Sequence, residues 1–532
     1  MIIAALLAII LPLVLIVGLR LPAKIGMTVS AAIVAVVAWA VWRMTPIAMA
    51  ASVVQAAHRA LTIGLILFGA VLLLKTLETT GAMVRIKHGF QSLSGDMRVQ
   101  TVLVAFAFVS LLEGASGFGT PAIVAAPLLI VLGFSPLAAA SLALLGDTVA
   151  CTFGAVATPL LVGLENVPQY SDALVWLVGA QVAVFDLVIA TLLPLGLVSV
   201  LVLGFGTQTR TTKLQAIRDI APWALLIGLV YSVSAFTIVR LIGPEFTAII
   251  AGAITLGVGT WTVRRGIGVP FSRWTTGHDA ASRVATNHTT ATMPLWRAWL
   301  PYGVVVGLLL LTRTVPDVKA AAVSIGDLSL HAIFGVSGID SIWHVLYSPG
   351  IILCVAAISA ALVGGRSLRP LAGAGLSAGK TVLTAMLALI PTLILVQIFS
   401  NSGHNAAGLA AMPVYIGSTL AATFGHIWPV FAPLLGTIGA FIAGSATVST
   451  LTMGPVQAAI AHDAGLPLMI ILALHMIGAA AGNIIAIHNV VAASTVVGLA
   501  HQESRIMRVL LLPTISYAAL TACIGIVIAI II

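Results

Sequence analysis

The sequence predicts an all-α polytopic membrane protein: about twelve transmembrane helices plus two re-entrant helical hairpins arranged as inverted repeats. Three observations carry that prediction. The composition is too apolar for water, the loop cations are distributed asymmetrically, and two interrupted apolar segments resemble each other. Of 532 residues, 60% are hydrophobic and 7% charged, with a mean hydropathy of +1.17. An ordinary soluble domain is about 25% charged. Soluble enzymes and nucleic-acid binders are thereby excluded, although the net charge of +9 and pI near 9.9 would otherwise invite a nucleic-acid reading. Cys151, Cys354 and Cys523 sit in apolar runs without metal-ligand spacing and read as buried thiols.

The spans are expected at 1–19, 25–42, 60–77, 136–161, 173–203, 221–239, 246–263, 298–314, 345–363, 381–400, 466–498 and 508–531. No cation precedes the first run, which therefore reads as a span and not a cleavable signal. With these crossings, one set of loops carries 18 of the Lys and Arg residues, from Arg20 and Lys24 to Arg505 and Arg508. The opposite set carries 5: Arg43, Arg59, Arg240, Arg313 and Lys319. The positive-inside rule puts the first set in the cytoplasm, both termini outside, and the loop 264–297 inside. A bacterial or archaeal cytoplasmic membrane is the expected location.

Two segments do not fit as plain spans. Residues 99–133 and 428–465 each contain two short apolar arms around a Gly/Ser/Thr-rich centre, and the charge pattern requires both ends of each on one side. Each is expected to be a re-entrant hairpin, entering from opposite faces. They also resemble each other: Gly114-Ala115-Ser116 matches Gly444-Ser445-Ala446, and Gly133-Phe134-Ser135-Pro136 matches Gly465-Leu466-Pro467. A long apolar helix with a glycine near its middle follows each hairpin, and a weakly amphipathic stretch, 78–98 or 401–427, precedes it. The expected organisation is scaffold helices at 1–59, a first repeat at 60–205, further scaffold at 206–380 and a second repeat at 381–532. Paired interrupted segments in inverted halves point to a transporter's substrate site. The competing explanation is chance similarity in a chain rich in Ala, Gly and Leu.

Glu113-Gly114-Ala115-Ser116-Gly117-Phe118-Gly119-Thr120-Pro121 resembles the EGAxGFGxP signature of the bacterial L-lactate permease family. The resemblance continues through Phe153-Gly154-Ala155, the small-residue second hairpin, and Val497-Gly498-Leu499 with Glu503-Ser504. It implies import of lactate or a related 2-hydroxy acid with protons. The chain departs from the family pattern at three points: Ala446 replaces an expected Asp, Asn483 an expected Lys, and Asp147 an expected Asn.

Glu113, at the first hairpin tip, either carries a coupled proton or caps hairpin N–H groups. A carboxylate at mid-membrane costs roughly 2.5–3.5 kcal/mol on insertion scales, so either role must offset that. Asp147 lies eleven residues into the helix that starts near Pro136, close to mid-depth. It reads as a proton or cation site, or as a polar contact that breaks the helix. Asp186 reads as a structural contact. Substrate donors are expected from the hairpins: backbone at Gly114, Gly117 and Gly119, and hydroxyls of Ser116, Thr120, Ser445, Thr447 and Ser449. Asn483, His488 and Asn489 on the second broken helix are further candidates, with His475 closer to a packed core residue. The alternative for the small residues is tight helix packing.

Ala374–Thr381 approximates a phosphate-binding loop but leads directly into a span, and Asn287-His288-Thr289 is a sequon on the cytoplasmic side. No HExxH, GxSxG or Cys/His cluster supports an enzyme, and no cofactor is implied. The expected partners are a small carboxylate, protons or Na⁺, and lipid. Homodimerisation is compatible with the pattern, and nucleic acid is not a partner. An elevator-type symporter is the leading reading. Its rivals are a same-fold carrier of another anion, Na⁺ coupling, and an anion channel.

Overall fold

The computed structural model describes residues 1–531 apart from 20, 118, 271–272, 277–292, 366–368 and 425–426. Arg20, Phe118, Arg283, Arg366 and the sequon at 287–289 lie outside the described residues. Among the described residues the chain is helical, with no strand beyond isolated bridges such as Asp327 with His344. Ten helices are long and apolar enough to cross a membrane, and shorter apolar helices accompany them.

The chain begins with α1 (Ile2–Pro12, continued by a π-helical turn at Leu13–Gly18), α2 (Ala23–Ala40), α3 (Pro46–Thr79) and the amphipathic α4 (Ala82–Leu93). The first hairpin pairs α5 (Met97–Gln100, π-helical over Thr101–Phe108, then Val109–Ser116) with α6 (Thr120–Leu132). The first broken helix consists of α7 (Pro136–Gly146), α8 (Thr148–Cys151) and α9 (Gly154–Leu161). Then come α10 (Asp172–Phe205), α11 (Arg210–Leu241), α12 (Thr247–Arg265), α13 (Leu295–Thr314), α14 (Pro316–Ser324), α15 (Pro349–Gly365) and α16 (Arg369–Ser400). The second repeat closes with α17 (Met412–Phe424), hairpin arms α18 (Trp428–Ala443) and α19 (Ala446–Asp463), a broken helix α20 (Leu468–Ile485) and α21 (Ile487–Val496), and α22 (Glu503–Ile531).

Hydroxyl caps start several of these helices: Thr45 before Pro46, Ser135 before Pro136, Ser171, and Ser445 at the second hairpin tip. Two expectations need correction. The 60–77 span is the C-terminal part of a 34-residue helix whose polar first half the hydropathy pattern hides. That half is stabilised by the loop after α14: Gln55 donates to the Asp340 carbonyl at 2.6 Å, and the His58 ring contacts the Ser341 hydroxyl at 2.8 Å. The first arm of hairpin one is also not short, because Met97–Gly114 is by itself long enough to cross. Its base is tied down by a buried ion pair between Arg98 and Asp96, with Arg98 also donating to the Ala216 carbonyl. Arg98 is therefore an internal staple, not a loop cation. Ala374–Thr381 lies inside α16, which removes the phosphate-loop reading.

Burial separates a centre from a surround. Met97–Gly114 is 94% buried and Leu468–Ile485 89%, whereas α2 is 39% and the α13 span 33%. The outer helices present bare aliphatics such as Leu241, Leu383 and Leu512, each over 70% exposed, to the surroundings. An apolar belt of this kind is what a bilayer covers.

The two repeats pack in the same way. Gly146 and Gly478 occupy equivalent places, and a Cβ on either would stand 1.6 Å from the Ala105 carbonyl oxygen or 2.0 Å from that of Pro433. Each broken helix thus runs in backbone contact with the first arm of its own hairpin. The helices that follow bridge the two repeats: α10 packs on α7 of the first and α20 of the second, and α22 packs on α18 and α20 of the second and on α7 of the first.

Hydrogen bonds between distant loops support the division of loops into two sets. Trp42 donates to the Ala410 carbonyl and Gln55 reaches Asp340, all within the cation-poor set. Arg85 donates to Met293, Gln208 to Thr275, and the Ala23 N–H to Glu503, all within the cation-rich set. Single cysteines at Gly95 and Asp463, in a background lacking Cys151, Cys354 and Cys523, are expected to react from opposite faces of intact vesicles, the first from the cytoplasm. Labelling of both from one face would refute the inverted arrangement.

Candidate functional site

The hairpin tips meet. Between them lies a cavity of about 20 Å³, lined from the first repeat by Glu113, Gly117, Cys151, Gly154, Ala155, Thr158 and Pro159. The second repeat contributes Gly444, Ser445, Ala446, Thr447 and Asn483. That space holds about one water.

Local backbone explains how the walls form. Gly117 ends α5 with φ 61 and ψ −165, a conformation essentially restricted to glycine, and the Ala155 backbone presses against it. After Cys151 the broken helix unwinds, and Ala155, Val156 and Ala157 all take left-handed values with φ of 47–58. Left-handed backbone costs a residue with a Cβ about 1–2 kcal/mol, so this stretch stores strain at the cavity wall. Gly154 leaves room for Glu113: a Cβ there would lie 2.3 Å from the Glu113 Oε1.

On the other side, Gly444 turns the chain with φ 70, close against the His488 ring. Ser445 then caps α19 by accepting from the Val448 N–H. Ala446 and Thr447 open α19, so their N–H groups have no helical acceptor behind them and face the cavity end. Among the described residues the cavity wall contains no Lys, Arg or His.

Two carboxyl groups dominate the polarity. Glu113 and Asp147 are 2% and 3% exposed and lie close enough for their charges to interact. Glu113 Oε2 and Asp147 Oδ1 are buried without a hydrogen-bond partner. Glu113 reaches the cavity wall, and Asp147 stands behind it. Cys151 of one broken helix and Asn483 of the other both line the cavity. Asn483 is in turn held by Asn489, whose Nδ2 donates to the Asn483 carbonyl at 3.0 Å and to its Oδ1 at 2.9 Å.

Of the residues expected at the site, Glu113, Gly117, Ser445, Thr447 and Asn483 line the cavity. Gly114 instead faces the backbone of α12 at Ile249, and Gly119 faces the Asn489 amide. Thr120 is buried with its hydroxyl unpartnered, while Ser449 donates to the Gly436 carbonyl inside the second hairpin. The Ser116 side chain lies outside the described residues. His488 borders a separate small space with Phe441 and Thr392. His475 belongs to a buried network in which Gln457 accepts from Trp428 at 2.6 Å and lies 3.1 Å from His475 Nδ1. Cys151, Gly154, Thr158 and Pro159 were not expected as lining. The Gly154 and Pro159 pair bracketing the unwound stretch is the sequence signal that could have found them.

The sequence profile described as L-lactate permease matches residues 1–532. The chain belongs to the L-lactate permease family. Among its relatives, a Haemophilus influenzae protein provisionally named L-lactate permease is 29% identical over 90% of this chain and 88% of its own. The Escherichia coli L-lactate permease is 28% identical over 95% of this chain and 91% of its own. The Escherichia coli glycolate permease is 24% identical over 83% and 80%. No solved structure matches. Membership makes this family member a multi-pass membrane transporter, not an enzyme.

Asn489→Ala removes both bonds that orient Asn483 and leaves buried acceptors unsatisfied, at about 1–3 kcal/mol. The expected outcome is a raised KM for uptake and a lower melting temperature. Asn489→Asp, which retains the size but loses the donor pair, should show the same KM defect.

Proposed function

We propose that this permease imports a small 2-hydroxy monocarboxylate of the lactate and glycolate class together with a proton, by elevator-type movement of its central unit. The observation that carries this reading is the buried Glu113–Asp147 pair opening onto a cavity whose other wall is a half-helix N-terminus. A carboxylate substrate fits that wall: the N–H groups of Ala446 and Thr447 and the positive end of the α19 dipole replace the absent cation. Asn483 and Thr158 offer partners for the 2-hydroxyl, and the Cys151–Ala446 face suits a small alkyl group. The relatives named for lactate and glycolate supply the substrate class.

Coupling follows from charge. Two carboxyl groups buried this close together carry one negative charge and one proton more easily than two negative charges. An anionic substrate arriving beside Glu113 strengthens that preference, so substrate and proton are taken up together. Release of the substrate inside lets the proton leave.

Glycine contacts support a particular moving unit. Gly114 against Ile249 and Gly252 against Leu111 bring α12 and α5 into backbone contact, and Gly228 against Thr191 does the same for α11 and α10. These helices therefore travel with the hairpins and broken helices. The scaffold is α2, α3, α13, α15 and α16, which pack broadly on one another and narrowly on the centre. Electron–electron distance measurements between α16 and the second hairpin should change between outward and inward states; an unchanged hairpin depth would exclude an elevator.

In proteoliposomes, Asp147→Asn is expected to abolish accumulation driven by a proton gradient, while exchange of preloaded substrate partly survives. Glu113→Gln should impair both, because Glu113 also forms the cavity wall. Accumulation by Asp147→Asn with wild-type pH dependence would assign Asp147 a purely structural part.

A further inference from the structure

A concavity larger than the cavity between the hairpin tips lies elsewhere on the described residues. A groove of about 570 Å³ runs along the outer face between α7, α10 and α22. Its floor is formed by Gly196 and Gly204 of α10, where nothing stands within 4 Å of the place a Cβ would occupy. Its walls are aliphatic: Leu192 on α10 and Leu512 on α22 are among the exposed residues. At one end stands Arg508, and no carboxylate among the described residues pairs with it. Lys213 lies at the same end, donating to the Leu203 carbonyl that closes α10. Both cations belong to the cation-rich loop set.

We propose that this groove binds one acyl chain of an anionic phospholipid whose headgroup phosphate sits on Arg508. The occupant must satisfy an apolar channel and an unpaired cation at an interface together. A small carboxylate would leave the channel empty. A second copy, related by a two-fold axis along the membrane normal, would set Arg508 opposite its own image at the same depth, where like charges repel. A phospholipid supplies tail and anion in the required order, and the anionic leaflet is the one that faces a cytoplasmic Arg. The inner end of the groove reaches Leu145, two residues before Asp147, and Tyr517 on α22. A bound chain therefore touches the broken helix that carries the coupling acid.

Native mass spectrometry of the purified full-length protein, titrated with phosphatidylglycerol or phosphatidylcholine, tests this. The wild type should retain one phosphatidylglycerol in preference to phosphatidylcholine. Arg508→Gln should reduce that preference about fivefold, the weight of one interfacial cation. Gly204→Trp and Gly196→Leu fill the groove where there is open space, so each should remove the retained lipid while monodispersity and melting temperature in detergent stay near wild type. If Gly204→Trp does not fold, Gly196→Leu and Arg508→Gln decide the matter. Retention unchanged in the groove-filling variants, or equal retention of both lipids, overturns the proposal. A shift in the monomer–dimer ratio with unchanged lipid retention overturns it too, and makes the face a contact between copies.

Discussion

Unwound backbone cannot stand in hydrocarbon, because each unsatisfied N–H or C=O there costs several kcal/mol. This chain places four interruptions near its centre: two hairpin tips, the left-handed stretch at Ala155–Ala157, and the break at Ala486. Everything else answers that constraint. The interruptions are gathered into one place so that each lies against protein, and the long helices stand outside as the wall. That is why the first hairpin arm, Met97–Gly114, and the second broken helix, Leu468–Ile485, are the most buried of the spans although exposed ones cover the same range of hydropathy. It also explains the glycines at 146, 478 and 482, which bring broken helix and hairpin arm to backbone distance and leave no gap for lipid or water.

The same constraint produces the site. A helix that ends inside the protein leaves N–H groups without helical partners, and these are satisfied by a cap, by water or by a ligand. Ser445 takes the Val448 N–H, and Ala446 and Thr447 keep theirs for the cavity. An anion can thus be held without a cation, which matches a wall with no Lys, Arg or His among its described residues.

The sequence made most of the scaffold of this argument visible. Hairpins, broken helices and amphipathic stretches announce themselves through Gly/Ser/Thr clusters, Ser-Pro and Leu-Pro starts, and loop charge. What stayed hidden was set by tertiary contact. The polar first half of α3 is stable only because the loop after α14 satisfies Gln55 and His58. Arg98 reads as a loop cation until Asp96 and the Ala216 carbonyl are seen around it. Cys151 and Thr158 reach the cavity because three alanine and valine residues adopt backbone angles that no propensity scale assigns to them. His488 and Asn489 were legible as polar residues in a broken helix, but not that one would pack under the hairpin turn and the other would orient Asn483.

The repeats are alike in backbone and unlike in chemistry. Glu113 at the first tip corresponds to Ala443 at the second, and Asp147 after Gly146 corresponds to Ala479 after Gly478. Ala479 lies with Ala440, Ala446 and Ala480 in a small apolar cluster around Cys151. Both acids therefore belong to one half, and the half-helix donors that face the cavity belong to the other. Symmetric acids would place four negative charges around a site meant for an anion. Confining the acids to the first repeat leaves the wall contributed by the second free of negative charge, and in the proposed cycle it separates proton carriage from anion recognition across a single cavity.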